Sequence, residues 1–379
     1  MMKSPEREAP PIVSCPHCGF SVPAGEFCGN CGAHLTTGST RRSHAYAAMP
    51  TQRVAQVAIV STLFPHLAHR RSGPFRIALA AGGALVVMLA ALHLFAPATV
   101  AAVFLLPVLY LMYLYEVEVY EDEPWLVVGA TMVLGALLGL AFANLAGASL
   151  SQLLLTEDRE SAFVLSAIAI PVVAQLLMLA GPAFLYAFRA RFREPLDGVT
   201  FGAASGLGFS LASSLTAFWP LIAGPLIANG SPIDWAVRLT RAGLLIALIN
   251  ACTTALIAAA LWLHRYDTRP GSRPFSTSLL GALTVAVGAQ IAVGVIGTVV
   301  GDLAVGFILL AVIAGGVLLY IRVVIHDALL VEGAELGIGP DAPCPECHRL
   351  VPTMRFCPAC GAARAAASKQ GRARFAGGV

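Results

Sequence analysis

Eight of the nine cysteines fall into two groups of identical spacing. Cys15, Cys18, Cys28 and Cys31 read C-x2-C-x9-C-x2-C, and Cys344, Cys347, Cys357 and Cys360 repeat it. A C-x2-C knuckle aims two thiolates at one point, and two knuckles complete a tetrahedron of sulfurs about 2.3 Å from a central Zn2+. Four thiolates leave no open coordination position, so both sites are expected to be structural and to hold one zinc each. Disulfides are the competing use of such cysteines. They belong to oxidising compartments, and the start Met1-Met2-Lys3-Ser4-Pro5-Glu6 has no apolar run of the kind a cleaved signal carries. His17, His34 and His348 lie close by, but four thiolates already saturate an ion. Cys252 stands alone in an apolar stretch and reads as a small buried hydrophobe.

The two groups agree beyond their ligands. Each has Pro after the first Cys (Pro16, Pro345), Val-Pro between the knuckles (Val22-Pro23, Val351-Pro352), Phe before the third Cys (Phe27, Phe356) and Gly after the fourth (Gly32, Gly361). These segments resemble zinc ribbons of the short CPxCG type, with His348 where that type has Gly. About twenty residues of this composition hold no apolar core, so the metal must supply the folding energy. A short β-hairpin is expected between the knuckles. Ribbons of this kind bind proteins or nucleic acid, or dock on each other as a small cap.

Between the ribbons the chain is oily. Hydrophobic residues make up 57% of its 379 residues and charged residues only 12%, where a soluble domain carries roughly a quarter. The expected fold is an all-α polytopic membrane bundle of about eight transmembrane helices with a small zinc ribbon at each terminus. Apolar runs long enough to cross a core of about 30 Å are expected at 75–96, 98–115, 125–147, 162–188, 199–228, 235–263, 277–300 and 302–325. Ala96-Pro97 and Gly301 read as the tight turns of two hairpins, and Pro171, Pro182, Pro220 and Pro225 as kinks. The expected organisation is a disordered tail at 1–14, a ribbon at 15–35, a linker and juxtamembrane helix at 36–74, the membrane domain at 75–330, a linker at 331–343, the second ribbon at 344–362 and a basic tail at 363–379. Within 51–71, Val54, Val57, Val60, Phe64 and Leu67 recur at helical spacing ahead of His69, Arg70 and Arg71. That pattern fits an interfacial helix or an ordinary helical lead-in.

Charge placement carries the topology. With the N-terminus inside, every Lys and Arg except Arg159, Arg238 and Arg241 falls on the inner side. The positive-inside rule then places both termini in the cytoplasm of a bacterial-type plasma membrane, and an even number of spans agrees. Net charge is only +3, so nucleic acid is not an expected partner. The expected partners are the lipid bilayer and a protein docked on the ribbons.

Several segments between the ribbons follow one another in a telling order. They are Tyr120-Glu121-Asp122-Glu123-Pro124-Trp125, Ile170-Pro171-Val172-Val173-Ala174-Gln175, Pro195-Leu196-Asp197-Gly198, Gly206-Leu207-Gly208-Phe209 and Asn250-Ala251-Cys252-Thr253-Thr254. Over roughly 105–265 the chain resembles the PrsW intramembrane proteases, relatives of the CAAX prenyl proteases. The polar residues that the resemblance implies are replaced. The Pro-x-x-Glu-Glu-x-x-Lys motif falls on Pro171, Ala174, Gln175 and Met178. The Glu-Asn after Gly-Phe falls on Ser213 and Ser214, and the His falls on Asn250, with Thr254 matching a following Thr. Peptide hydrolysis needs a general base or a metal-activated water, and none of these side chains ionises near neutral pH. No catalytic residue is therefore assigned.

Gln175, Ser213, Ser214 and Asn250 are expected near one another, as a structural hydrogen-bond cluster or as a vestigial cavity that binds without cutting. Asn144 and Gln290 read as isolated packing contacts, and the span glycines (Gly129, Gly135, Gly139, Gly202, Gly206, Gly208) as close-approach sites. The acidic run Glu116, Glu118, Glu121, Asp122, Glu123 either binds a cation or pairs with Arg189, Arg191 and Arg193. No Ser-His-Asp set, P-loop or HExxH motif occurs, and His93 lacks an acidic partner. The functional expectation is a pseudoprotease-like scaffold whose ribbons recruit a protein. The alternatives are an active enzyme with an atypical site at the acidic loop, or a lipid or small-molecule transporter.

Overall fold

The computed structural model describes residues 11–35, 46, 49–50, 72–116, 125–155, 159–187, 192, 195–224, 231–265, 275–332 and 338–364. The segment 51–71, the acidic run and Arg189, Arg191 and Arg193 lie outside the described residues or have side chains outside them.

A helix lies at each of the eight expected positions. In chain order they are α1 (Ser72–Ala91), α2 (Phe95–Glu116), α3 (Trp125–Leu155), α4 (Arg159–Val164) continued through a π-helical turn (Leu165–Ala169) into α5 (Ile170–Ala187), α6 (Pro195–Ala217), a short α7 (Trp219–Ile222), α8 (Pro232–Thr240) continued through a second π-helical stretch (Arg241–Ile246) into α9 (Ala247–His264), α10 (Leu279–Val299) and α11 (Leu303–Glu332). Among the described residues, six of these stretches are long and apolar enough to cross a membrane: Phe95–Leu114, Trp125–Ser149, Glu160–Ala187, Pro232–His264, Leu279–Val299 and Leu303–Ala328. The protein is thus a multi-pass membrane bundle. Phe75–Ala91 is a shorter apolar helix. α6 is richer in Ser, Thr and Gly, and fourteen of its residues are buried. A helix sheathed by other helices does not need a lipid-compatible surface.

α6 is the axis of the bundle, and glycines set its spacing. On one face Gly198, Gly202 and Gly206 lie against the backbone of Ala258, Ala255 and Asn250-Ala251 in the antiparallel α9. On the other, Gly208 meets the carbonyl of Met132, while Gly135 and Gly139 of the parallel α3 meet the carbonyls of Ser205 and Phe209. Without Cβ atoms the backbones come into direct contact, which is how helices gain dispersion energy in lipid.

Several boundaries differ from the sequence reading, each for a local reason. The α1–α2 turn is Leu92-His93-Leu94, with His93 in the left-handed region (φ 59°), so Pro97 sits inside the first turn of α2, where a missing N–H costs nothing. The turn between α10 and α11 is as expected at Val300–Asp302, and Asp302 caps α11 by accepting from Val305 N at 2.8 Å. The Pro-Leu-Asp-Gly segment is the first turn of α6, four residues ahead of the expected start at 199, with Pro195 at the favoured N-terminal position. α6 stops at Ala217, and after Phe218 the short α7 starts afresh with Pro220 in its first turn, where a missing N–H costs nothing.

The ribbon hairpins straddle the first knuckle instead of lying between the knuckles. Strand β1 (Ile12–Ser14) pairs with β2 (Ser21–Pro23), and β3 (Asp341–Pro343) with β4 (Leu350–Pro352), both antiparallel. Each ribbon therefore begins before its first Cys, inside stretches read as tail and linker.

Candidate metal centres and the buried polar network

In the first ribbon Cys15 Sγ lies 3.8 Å from Cys31 Sγ, and Cys18 Sγ 3.8 Å from Cys28 Sγ. In the second, Cys344–Cys360 is 3.7 Å and Cys347–Cys357 3.9 Å. All sulfurs within each group lie within 4.8 Å of one another. A regular tetrahedron with metal–sulfur bonds of about 2.3 Å has edges of about 3.8 Å, so both groups fit a zinc ion without rearrangement.

The knuckles are built for this. Gly19, Gly32 and Gly361 adopt φ of 72° to 73°, and each donates its N–H to the carbonyl of the Cys four residues before it, at 2.9 Å. His348 takes the same left-handed turn at φ 58°, donating to Cys344 O at 2.8 Å, so replacing the usual Gly leaves the knuckle intact. Hydrogen bonding from Cys31 holds the Cys28 thiol down to about 5, and Cys344 and Cys360 hold Cys357 down to about 3. The same hydrogen bonds push Cys31 and Cys360 up, so each group holds one ready thiolate and sheds further protons as a metal binds.

The ribbons dock on each other reciprocally, as across a two-fold axis. Phe27 donates its N–H to Pro358 O at 3.0 Å, and the equivalent Phe356 donates to Gly29 O at 2.9 Å. Met354 of the second ribbon packs into the core of the first beside Cys15, Val22 and Cys28. Tyr46, from the stretch read as linker, sits between them. Its hydroxyl lies 2.8 Å from Gly32 O and 2.7 Å from Gly361 O, the two equivalent carbonyls. The sequence signal for Tyr46 is slight: it is the one Phe, Tyr or Trp in 36–50.

The second constellation is inside the bundle. Gln175 (α5), Ser210 (α6), Asn250, Thr253 and Thr254 (α9) and Gln290 (α10) are all buried. The Gln290 amide nitrogen lies 2.9 Å from Asn250 Oδ1, 3.1 Å from Thr253 Oγ1 and 3.2 Å from Gln175 Oε1. Asn250 Nδ2 donates to Ser210 Oγ at 2.8 Å, and Gln175 Nε2 to Thr254 Oγ1 at 3.3 Å. Thr254 donates to Asn250 O at 2.7 Å and touches Met178 Sδ at 3.7 Å. Each member has a partner within the network, as lipid surroundings require.

Gln175 and Asn250 meet as expected, but Ser213 and Ser214 do not join them. Both are half-buried, and Ser213 bonds back to Ser210 O at 3.3 Å. Ser210, one turn earlier, faces the network in their place. Gln290, read as isolated, is its hub. The missed signal is that Gln290 is the one amide in α10, and an amide in mid-span must find partners. Asn144 is exposed and bonds Leu140 O of its own helix.

Both helices that lead into the network carry a π-helical stretch just upstream. The first precedes Pro171, whose missing N–H breaks the α ladder, and the Ala167 carbonyl lies against Gly294 of α10. An apolar groove of about 410 Å³ runs between α3 and this stretch, lined by Leu138, Phe142, Leu145, Leu165, Val173 and Leu177 among others. Ala174, Met178 and Phe209 form an apolar cluster against Phe142 and Leu177 of its wall, and Met178 in turn touches the network at Thr254.

Replacing Gln290 with Leu removes the hub and strands Asn250 Oδ1 and Gln175 Oε1. We expect a loss of about 1–3 kcal/mol, read as a lower melting temperature in detergent, with Asn144→Leu unchanged as the control.

No curated protein and no solved structure gives a significant match. The PrsW family of intramembrane metalloproteases matches residues 123–322. That stretch begins later than the motif resemblance and runs on through α10 and most of α11, and it includes every member of the network. It spans more than half of the chain, which therefore belongs to the PrsW family.

Proposed function

We propose that the protein is a PrsW-family scaffold that has kept the fold without the hydrolytic chemistry and presents a zinc-ribbon pair to a protein partner. The carrying observation is the network. The positions that the family resemblance marks for acid, base or ligand residues hold Ala174, Gln175, Met178, Ser213, Ser214 and Asn250, all neutral, and of these Gln175, Met178 and Asn250 meet at Thr254. Amides and hydroxyls neither deprotonate water nor replace the carboxylates and imidazole that would hold a catalytic metal. Their internal bonding supports a structural role.

For the ribbons, exposed apolar side chains support a protein contact: Ile12 and Phe20 on the first, Leu350 on the second. The positive-inside distribution supports a cytoplasmic location for both, in a bacterial-type membrane. There the thiols stay reduced and zinc is the ion suited to four thiolates.

Purified protein reconstituted with a model membrane substrate is expected to give no turnover above the spontaneous rate. Turnover that disappears in Glu121→Gln would establish catalysis at the acidic loop instead. In cells, Cys15→Ser with Cys344→Ser is expected to abolish crosslinking to the ribbon partner while membrane insertion persists. An unchanged crosslinking profile would refute recruitment by the ribbons.

A further inference from the structure

We propose that the two metal sites load as one cooperative unit, and that the loaded pair is a latch seated through Tyr46 on one end of the bundle. This goes beyond the scaffold reading and does not depend on it.

Four observations carry the inference. First, the core of the first ribbon is not closed by its own residues: Met354 of the second completes it. Second, the exchanged bonds Phe27 N to Pro358 O and Phe356 N to Gly29 O attach at residues beside ligands, since Pro358 follows Cys357 and Gly29 follows Cys28. A knuckle that loses its metal loses the geometry its neighbour bonds to. Third, Gly25 and Gly361 are pressed against Pro358 and Phe27, leaving no room for a Cβ, so the docked faces fit only in the folded form. Fourth, one buried hydroxyl ties both sites together. Tyr46 is 3% exposed, and its single proton is shared by the carbonyls that follow Cys31 and Cys360. Burial holds its phenol well above its ordinary range, so it stays a donor.

The same residue reaches the membrane domain. The Tyr46 ring lies 6.2 Å from that of His326 on α11 and 5.9 Å from Phe356. Tyr46, Phe356 and Ala363 share one buried cluster with Leu196 at the start of α6, Leu263 at the end of α9, and Ile325 and Ala328 of α11. Further along, α6 carries Ser210 and α9 carries Asn250, Thr253 and Thr254, so seating the ribbons braces two of the helices that hold the network. Metal loss from either ribbon should free Tyr46 and uncover that apolar end.

The test uses the full-length protein in detergent, loaded with zinc and challenged with a chromophoric chelator. Cys357→Ser with Cys360→Ser leaves only the first site, and Cys28→Ser with Cys31→Ser only the second. In each the surviving site is expected to release zinc roughly tenfold faster or more. Tyr46→Phe keeps all eight thiols and should speed release from both sites, with faster deuterium uptake around Ile325–Ala328. It carries the test alone if the serine variants fail to fold. Wild-type release from the surviving sites would overturn the cooperative unit, as would wild-type release from Tyr46→Phe. Unchanged uptake at Ile325–Ala328 in Tyr46→Phe would overturn the latch.

Discussion

Zinc removal is expected to unfold both ribbons and leave the bundle standing. The ribbon cores consist largely of the ligands themselves: Cys15, Val22, Cys28 and Met354 in one, Cys344, Val351 and Cys357 in the other. Strands of three residues bury too little apolar surface to offset the entropy of ordering them. Metal binding, about 10–16 kcal/mol per structural zinc, is the term large enough to do so. Hydrogen exchange checks this directly. After chelation, amides of 12–35 and 339–364 should exchange as in an unfolded chain, while α3, α6 and α9 keep their protection. Ribbon amides that stay protected without metal would show that mutual docking, not zinc, holds them.

The second large effect lies in the bundle axis. A Cβ at Gly208 would stand 2.0 Å from the carbonyl oxygen of Met132. Backbone cannot yield as a flexible side chain does, so Gly208→Val must push α3 away from α6. Overpacking of this kind costs roughly 3 kcal/mol, and the displaced contact runs along much of both helices. We expect the variant to aggregate on extraction. Gly288→Ala, where a Cβ meets open space, should behave as wild type. Equal yields of both variants would mean that the α3–α6 contact does not hold the fold.

The metal groups were fully legible in the sequence, since a C-x2-C knuckle fixes its ligands locally whatever surrounds it. The helices were legible because lipid demands runs of apolar residues, and the family resemblance brought Gln175 and Asn250 together correctly. What escaped depends on contacts between distant segments or on a single turn of register. Ser210 rather than Ser213 faces Asn250, and one turn of helix decides it. Gln290 carries no motif and becomes a hub only because α10 packs beside α5 and α9. Tyr46 looks like linker until both ribbons close on it. The first strand of each hairpin, ahead of the first knuckle, escaped because three-residue strands leave no alternation to read.

The measurement that bears most directly on the account is zinc per chain, by elemental analysis of the detergent-purified wild type and of a variant with Cys15, Cys18, Cys28, Cys31, Cys344, Cys347, Cys357 and Cys360 all changed to Ser. Two zinc ions per chain falling to none is the expected result: both ions belong to the ribbons, and the neutral network of Gln175, Asn250 and Gln290 holds no metal. A metal retained by the variant would contradict the account and place a catalytic centre within the membrane bundle.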